Sequence, residues 1–219
     1  MNFFKGLKNQ VKSKFTQVSP YPRDFAADIK SQPIELFLLA KPRPLAIIVH
    51  EQGLQVYDVQ KGVLQISVKV EKKIVMATFN ERHKYGAIIA VFYSDSYVDF
   101  YEPTMLIKLQ SMIVDPQSPV TCIDLSHGRG LLTGHVSGTT SLYELEDGSE
   151  QVKYHPTLSK ELTSGVSQIA CTGEILYVAH SQFIQGEVIM QMLPKTAIRS
   201  YDMEKGTLLT EIMVPDLCV

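Results

Sequence analysis

The chain has 219 residues, of which 45% are hydrophobic and 20% charged, with a formal net charge of -2. That is the length and composition of a globular domain with a real core, which excludes a disordered chain and gives no general attraction to nucleic acid. Its three cysteines, Cys122, Cys171 and Cys218, share no Cys-x-x-Cys spacing, so they point to a reducing, cytoplasmic setting and offer no zinc or disulfide framework. No apolar run reaches the roughly 20 residues that cross a bilayer, and the first residues lack the apolar centre of a secretory signal.

Residues 1–19 differ in character from the rest of the chain. At helical spacing Phe4, Leu7, Val11, Phe15 and Val18 fall in one narrow arc. Lys5, Lys8 and Lys12 flank one side of it and Lys14 the other, and there is no acid before Asp24. The pattern predicts a basic amphipathic helix whose lysines reach out from the edges of an apolar stripe. Such a stripe suits an anionic membrane surface or a protein groove. A mitochondrial presequence would also be basic and amphipathic, but it is usually rich in arginine, and the first arginine here is Arg23. Pro20 and Pro22 end the helix and open a linker over 20–32.

From residue 33 the pattern changes to short apolar strands between turn residues. The first unit reads IELFLLA (34–40), LAIIVH (45–50), LQVYDV (54–59) and VLQISVKV (63–70). The second reads IVMATF, YGAIIAVFY, YVDFYEP and MLIKLQSMIV. The third is VTCIDL, a short apolar run at Leu131 and Leu132, TTSLYEL (139–145) and QVKYH. The fourth is VSQIACTG (166–173), ILYVAH (175–180), AIRSYDM and KGTLLTEIMV. Each third strand ends in a tyrosine followed by an acid: Tyr57-Asp58, Tyr101-Glu102, Tyr143-Glu144 and Tyr201-Asp202. Their spacings are 44, 42 and 58 residues. The last is long because FIQGEVIMQMLPK (183–195) is inserted between the second and third strands of the fourth unit.

This order and period resemble the WD-repeat family, with the tyrosine–acid pair where that family carries Trp-Asp; the chain has no tryptophan. The resemblance is carried most clearly by LLTGHVSGTTSLYEL and covers about residues 33–214. It implies an all-β fold, a divergent β-propeller of about four four-stranded blades over 33–219. Many WD-type propellers have more blades than four. The chain is therefore expected to be part of a larger propeller, with a closed four-bladed ring or an open half-ring completed by another chain as the alternatives. An unclosed edge over 207–214 would favour self-association.

Candidate chemistry is sparse. His50, His135 and His180 recur in the turn after a unit's second strand, which points to a turn role, not a shared metal site. Asp95, Asp99 and Glu102 are close in sequence, but alternation along a strand separates them, and a solvated loop or edge explains them. No nucleophile elbow, phosphate loop or His-Glu-x-x-His is present. The four first strands offer only Glu35, Asp124 and a few hydroxyls and amides to a central channel. No catalytic residue, metal or cofactor is expected.

The inserted segment is apolar and methionine-bearing, and Phe183, Ile184, Met190 and Met192 are its candidate partner-binding residues; the alternative is a hairpin folded back on its own sheet. What the resemblance implies is a non-enzymatic scaffold whose partners are other proteins. With the N-terminal helix, membrane trafficking or vesicle tethering is the expected process, peripheral to a membrane. A substrate-presenting adaptor of a ubiquitin ligase and a propeller hydrolase are the rival readings.

Overall fold

A computed structural model describes residues 34–41, 44–115, 118–128, 130–145, 150–154, 165–181 and 196–214. The predicted helix over 1–19, the linker over 20–32 and the insertion over 183–195 lie outside these residues. The described chain folds into sixteen strands in four antiparallel sheets, each a simple meander of four consecutive strands. Sheet 1 holds β1 (Glu35–Leu39), β2 (Leu45–His50), β3 (Gly53–Asp58) and β4 (Val63–Lys69). Sheet 2 holds β5 (Ile74–His83), β6 (Gly86–Tyr93), β7 (Tyr97–Tyr101) and β8 (Lys108–Ile113). Sheet 3 holds β9 (Val120–Asp124), β10 (Gly130–His135), β11 (Thr140–Glu144) and β12 (Glu150–Tyr154). Sheet 4 holds β13 (Gly165–Thr172), β14 (Ile175–Ser181), β15 (Thr196–Asp202) and β16 (Thr207–Val214).

Consecutive first strands are neighbours: β1 lies against β5, β5 against β9, and β9 against β13. The sheets therefore succeed one another around an axis lined by their first strands. Among the described residues no comparably broad contact joins β1 to β13, so the four sheets form an open arc.

The core is divided into three layers, one between each pair of successive sheets. Leu45, Ile47, Val49, Leu54 and Val56 of sheet 1 meet Ile89, Val91, Tyr93 and Tyr101 of sheet 2. The other face of sheet 2, through Ile88, Ala90, Phe92, Val98 and Phe100, meets Leu131, Tyr143 and Leu145 of sheet 3. Leu132 and Leu142 then meet Leu176, Val178 and Tyr201 of sheet 4. A strand covered on both faces reads as a continuous apolar run, and this is why AIIAVFY in β6 does not alternate. Outer strand β4, open to solvent, is the opposite case: Val63 and Leu64 are 44% and 45% exposed.

The four tyrosines occupy one structural position. All are buried, and in every sheet the pairing of third and fourth strands shifts register immediately before the tyrosine, at Val56/Tyr57, Phe100/Tyr101, Leu142/Tyr143 and Ser200/Tyr201. Such an irregularity adds local twist to the outer pair. Tyr101, Tyr143 and Tyr201 each pack against the preceding sheet. Their hydroxyls do not simply project from a rim, as an amphipathic ring at a strand end suggests. Tyr101 sits in a buried polar cluster, and the Tyr143 hydroxyl accepts a hydrogen bond from the Asp115 N–H at 3.2 Å, tying sheet 3 to the strand end of sheet 2.

Candidate interaction rim

Two sets of loops share one side of the arc. One joins each second strand to the third, the other joins each fourth strand to the next first strand. Backbone hydrogen bonds interleave them. Val70 and Ile74 donate to Gln52 and Glu51, both at 2.9 Å; Ser94 donates to Lys73 at 3.1 Å; Val114 donates to Ser96, and Val136 to Pro119, both at 3.0 Å. Among the described residues the turns 51–52, 94–96 and 136–139 of this rim are each held by the connection beside them. The ends of β14 and β15 open on this rim, so 182–195 is its fourth second-to-third-strand connection, three times longer than its counterparts or more.

On the rim between sheets 1 and 2, Lys72 Nζ lies 2.7 Å from Asp95 Oδ2 and 3.6 Å from the centre of the Tyr97 ring. Lys73 Nζ lies 3.1 Å from Glu51 Oε1. The Asp95 carboxyl is held below its ordinary range, first by the hydrogen bond from Lys72, and the Lys72 ammonium is raised by the same bond. These groups are solvent-exposed, and such pairs contribute little stability. What they do is fix the orientation of an exposed aromatic ring between charges, the kind of rigid amphipathic anchor that protein interfaces use.

Further along, the rim is neutral. The Ser118 hydroxyl donates to Ser137, which bonds Thr139, both at 2.9 Å. His135 lies beneath, 1% exposed, with Nδ1 3.0 Å from the Ser118 carbonyl oxygen and Nε2 2.9 Å from Thr133 Oγ1. His180 is equally buried at the matching place in sheet 4, and His50 is half-buried with Nδ1 accepting from the Gln52 N–H. The repeated histidines therefore stand at the ends of second strands in three different sheets. His135 is a structural pin under its rim turn.

Gly134 explains how closely sheets 3 and 4 meet at this point. A Cβ there would lie 2.5 Å from Val166 Cγ1 and 2.6 Å from Cys122 Sγ. The Thr121 hydroxyl sits at the same junction, within hydrogen-bonding distance of the carbonyl oxygens of Gly134 and Val166. Cys122 and Cys171 are free thiols, each pushed up by burial to about 11, which keeps them protonated and unreactive at neutral pH.

Asp99 corrects the expectation of a solvated acid. It is 8% exposed on β7, accepts hydrogen bonds from Tyr93 at 3.0 Å and Ser111 at 2.7 Å, and pairs with Lys108 at 2.8 Å. Burial pushes its carboxyl up, but the bonds from Lys108, Ser111 and Tyr93 prevail and hold it below the ordinary range. Asp95, by contrast, is exposed, and Glu102 caps its own turn by accepting from the Thr104 and Met105 N–H groups. Glu35 and Asp124, the first-strand acids, belong to sheets 1 and 3. Asp124 is raised by burial, with the Ser126 hydroxyl as its partner. Among the described residues no three His, Cys, Asp or Glu side chains are grouped to hold a metal.

Sequence reasoning singles out the insertion and misses the Lys72–Asp95–Tyr97 group. Its signal is present, in a Lys-Lys connection and a tyrosine just after a Ser-Asp-Ser turn, but only the pairing of β5 with β6, with Ile74 opposite Tyr93 and the Ser94 N–H donating to the Lys73 carbonyl, brings the two loops together. The N-terminal stripe and Phe183, Ile184, Met190 and Met192 lie outside the described residues.

No family model matches the chain, and no curated protein matches it in sequence. Among solved structures, the WD40 domain of Neurospora crassa Pan2 is similar, with a TM-score of 0.60 at 8% identity, over 83% of this chain. The match takes in 52% of that neighbour's chain, so this chain spans about half of its length. At this identity the likeness speaks for the fold alone: the four sheets are blades of a WD-like β-propeller.

Proposed function

We propose that the chain is a non-enzymatic scaffold that binds other proteins through the second-to-third-strand rim, and that residues 1–19 bring it to a membrane surface. The observation that carries the first part is the Lys72–Asp95–Tyr97 group. Lys72, from the connection leading into β5, and Asp95, from the β6–β7 turn, stand beside the exposed ring of Tyr97, on the same rim from which the apolar 183–195 connection departs. A rigid framework presenting loops of different chemistry is how propeller faces recognise partners. The lysines flanking the Phe4–Val18 stripe support anionic lipid, each contributing about 1 kcal/mol near such a surface. Cytosolic membrane trafficking or tethering is the process this combination fits.

Two measurements test the reading separately. The full chain is co-sedimented with phosphatidylserine-containing and with neutral vesicles, beside a Leu7→Asp/Phe15→Asp variant. Salt-sensitive binding that needs the anionic lipid and disappears in the variant supports membrane recruitment; equal recovery from both vesicles, or none, removes it. For the rim, proximity labelling compares the parent with Lys72→Glu/Tyr97→Ala and with 183–195 replaced by Asn-Gly. A set of labelled proteins lost in both folded variants supports the platform, and an unchanged set overturns it.

A further inference from the structure

On the side of the arc opposite the rim, the β5–β6 hairpin of the second blade is clipped to the β9–β10 turn of the third. The Lys84 N–H donates to the Gly128 carbonyl at 2.9 Å, and Asn80 Nδ2 donates to the Leu125 carbonyl at 2.7 Å. His83 lies between these two anchors and is 4% exposed. Its Nδ1 accepts from the Tyr85 N–H at 3.4 Å. That bond sets the tautomer: in the neutral ring the proton stands on Nε2. Nε2 is buried and has no hydrogen-bond partner. A buried donor without an acceptor is unfavourable, and native folds leave few of them.

The surroundings say which kind of acceptor is missing. The charged groups that bear on the His83 ring are His127, on the β9–β10 turn, and Lys84. Both are basic, and among the described residues no carboxylate joins them. Lys84 is placed by an aromatic contact: its Nζ lies 4.9 Å from the centre of the Tyr85 ring, and that ring lies 5.6 Å from the ring of His83. Tyr85 is 45% exposed and His127 half-buried, so His83 sits just below the surface. A Cβ on Gly86 or Gly128 would meet nothing within 4 Å, so both turns border open space. The other charges at this end of β5, Glu81 and Arg82, are exposed and opposite in sign.

We propose that this junction binds a phosphate group, with the His83 Nε2–H and the Lys84 ammonium as its donors and His127 beside them. A directed imidazole N–H next to a lysine charge suits a small anion with several acceptor oxygens. A metal ion does not fit the same atoms. It would need Nε2 without its proton, which moves the proton to Nδ1 and breaks the bond from the Tyr85 N–H, and it would sit among basic groups. The site is independent of the rim, since it lies on the opposite side and uses none of the rim's residues. A free small molecule and a lipid headgroup present the same phosphate chemistry, and the experiment separates them.

Isothermal titration calorimetry of the full chain with pyrophosphate, in chloride buffer near neutral pH, measures the free anion. Binding should be one to one. Lys84→Glu, and His83→Phe, which keeps a ring against Tyr85 but has no donor, should each weaken it about tenfold. Lys61→Glu makes the same charge change at an exposed lysine of the β3–β4 turn, on the same side of the arc, and should leave binding unchanged. Co-sedimentation with phosphoinositide-containing vesicles, in a Leu7→Asp/Phe15→Asp background that removes the N-terminal stripe, measures the lipid-borne group in the same variants. Binding in either arm that falls in the site variants and not in Lys61→Glu supports the site and identifies its source. Circular dichroism melts identify which variants remain folded, and Lys84→Glu, at an exposed position, tests the site if His83→Phe does not fold. No binding in either arm, or binding that the folded site variants weaken no more than Lys61→Glu does, overturns the proposal.

Discussion

Arg199 on β15 and Glu211 on β16 stand directly opposite each other in the fourth blade, and Arg199 Nε lies 3.1 Å from Glu211 Oε2. Arg199 is 1% exposed, and neither of its Nη atoms reaches hydrogen-bonding geometry with an acceptor. The same register position holds Gln55, Asp99 and Ser141 in the other blades, each two residues before its tyrosine and each buried. A polar residue beside the tyrosine is thus part of the repeat, and the fourth blade fills the place with a full charge.

A buried charge with one carboxylate partner makes the two ends of the pair unequal. Removing the carboxylate strands the guanidinium, which typically costs about 3–5 kcal/mol in a buried pair; solvent reaching the partly exposed Glu211 should reduce that to about 2–3. Replacing the arginine by an apolar side chain of similar length removes the desolvation cost instead. Glu211→Gln should therefore lower the urea midpoint clearly, and Arg199→Met should leave it nearly unchanged or raise it. Equal losses in the two variants would show that the pair is a net stabiliser.

Tyr143 separates packing from hydrogen bonding. Its ring fills the layer between sheets 2 and 3, so Tyr143→Ala should cost about 3–5 kcal/mol. Tyr143→Phe keeps the ring and loses the bond from the Asp115 N–H, worth about 1 kcal/mol. Denaturant melts of both variants check the ratio, and a Phe variant as unstable as the Ala variant would place the hydroxyl, not the ring, at the centre of the contact.

A strand pattern records local information, and that sets how much of the fold and the rim is legible in the sequence. Strand positions and the tyrosine period are readable because turn residues and apolar runs are local. The register shift before each tyrosine is not, since it depends on how the outer strand pairs. Asp99 eludes the pattern for a related reason. Alternation puts it on a face, but only Tyr93 and Ser111 on adjacent strands, with Lys108, make that face a place where a carboxylate can be buried. The Lys72–Asp95–Tyr97 group needs the pairing of β5 with β6 across a separation of about twenty residues.

The Asp99 cluster makes acid stability predictable. Its folded-state pKa is depressed below the ordinary carboxylate value near 3.9. Such a group contributes stability that is fully present above the unfolded pKa and is lost as pH falls through the folded one. Asp99→Asn should therefore be less stable than the parent at neutral pH. The gap should narrow below about pH 4, where the unfolded chain's carboxylate takes up a proton that the folded one still resists. Parallel melting curves with a constant gap down to pH 2.5 or so would show that Asp99 is not ionised in the fold.

His83 gives a second pH response, at higher pH and from the other side of the arc. It is 4% exposed at the end of β5, its Nδ1 faces the Tyr85 N–H at 3.4 Å, and its Nε2 is buried. The groups around it are cationic or become so: burial is the largest cause that lowers its pKa, followed by His127 on the β9–β10 turn and Lys84 next to it. The turn carrying His127 is held against this hairpin by the bond from the Lys84 N–H to the Gly128 carbonyl at 2.9 Å. The lowered pKa sets the sign. The unfolded chain takes up the proton near pH 6.5 while the folded chain resists it, so His83 lowers stability progressively as pH falls below about 6.5, until the folded-state pKa is reached. His83→Gln removes the titration and should flatten the slope of stability against pH between about 6.5 and 5. Urea midpoints of parent and variant at several pH values in that window measure the two slopes. A variant with the parent's slope would assign the response to another group, and His127→Gln would then be the variant to compare.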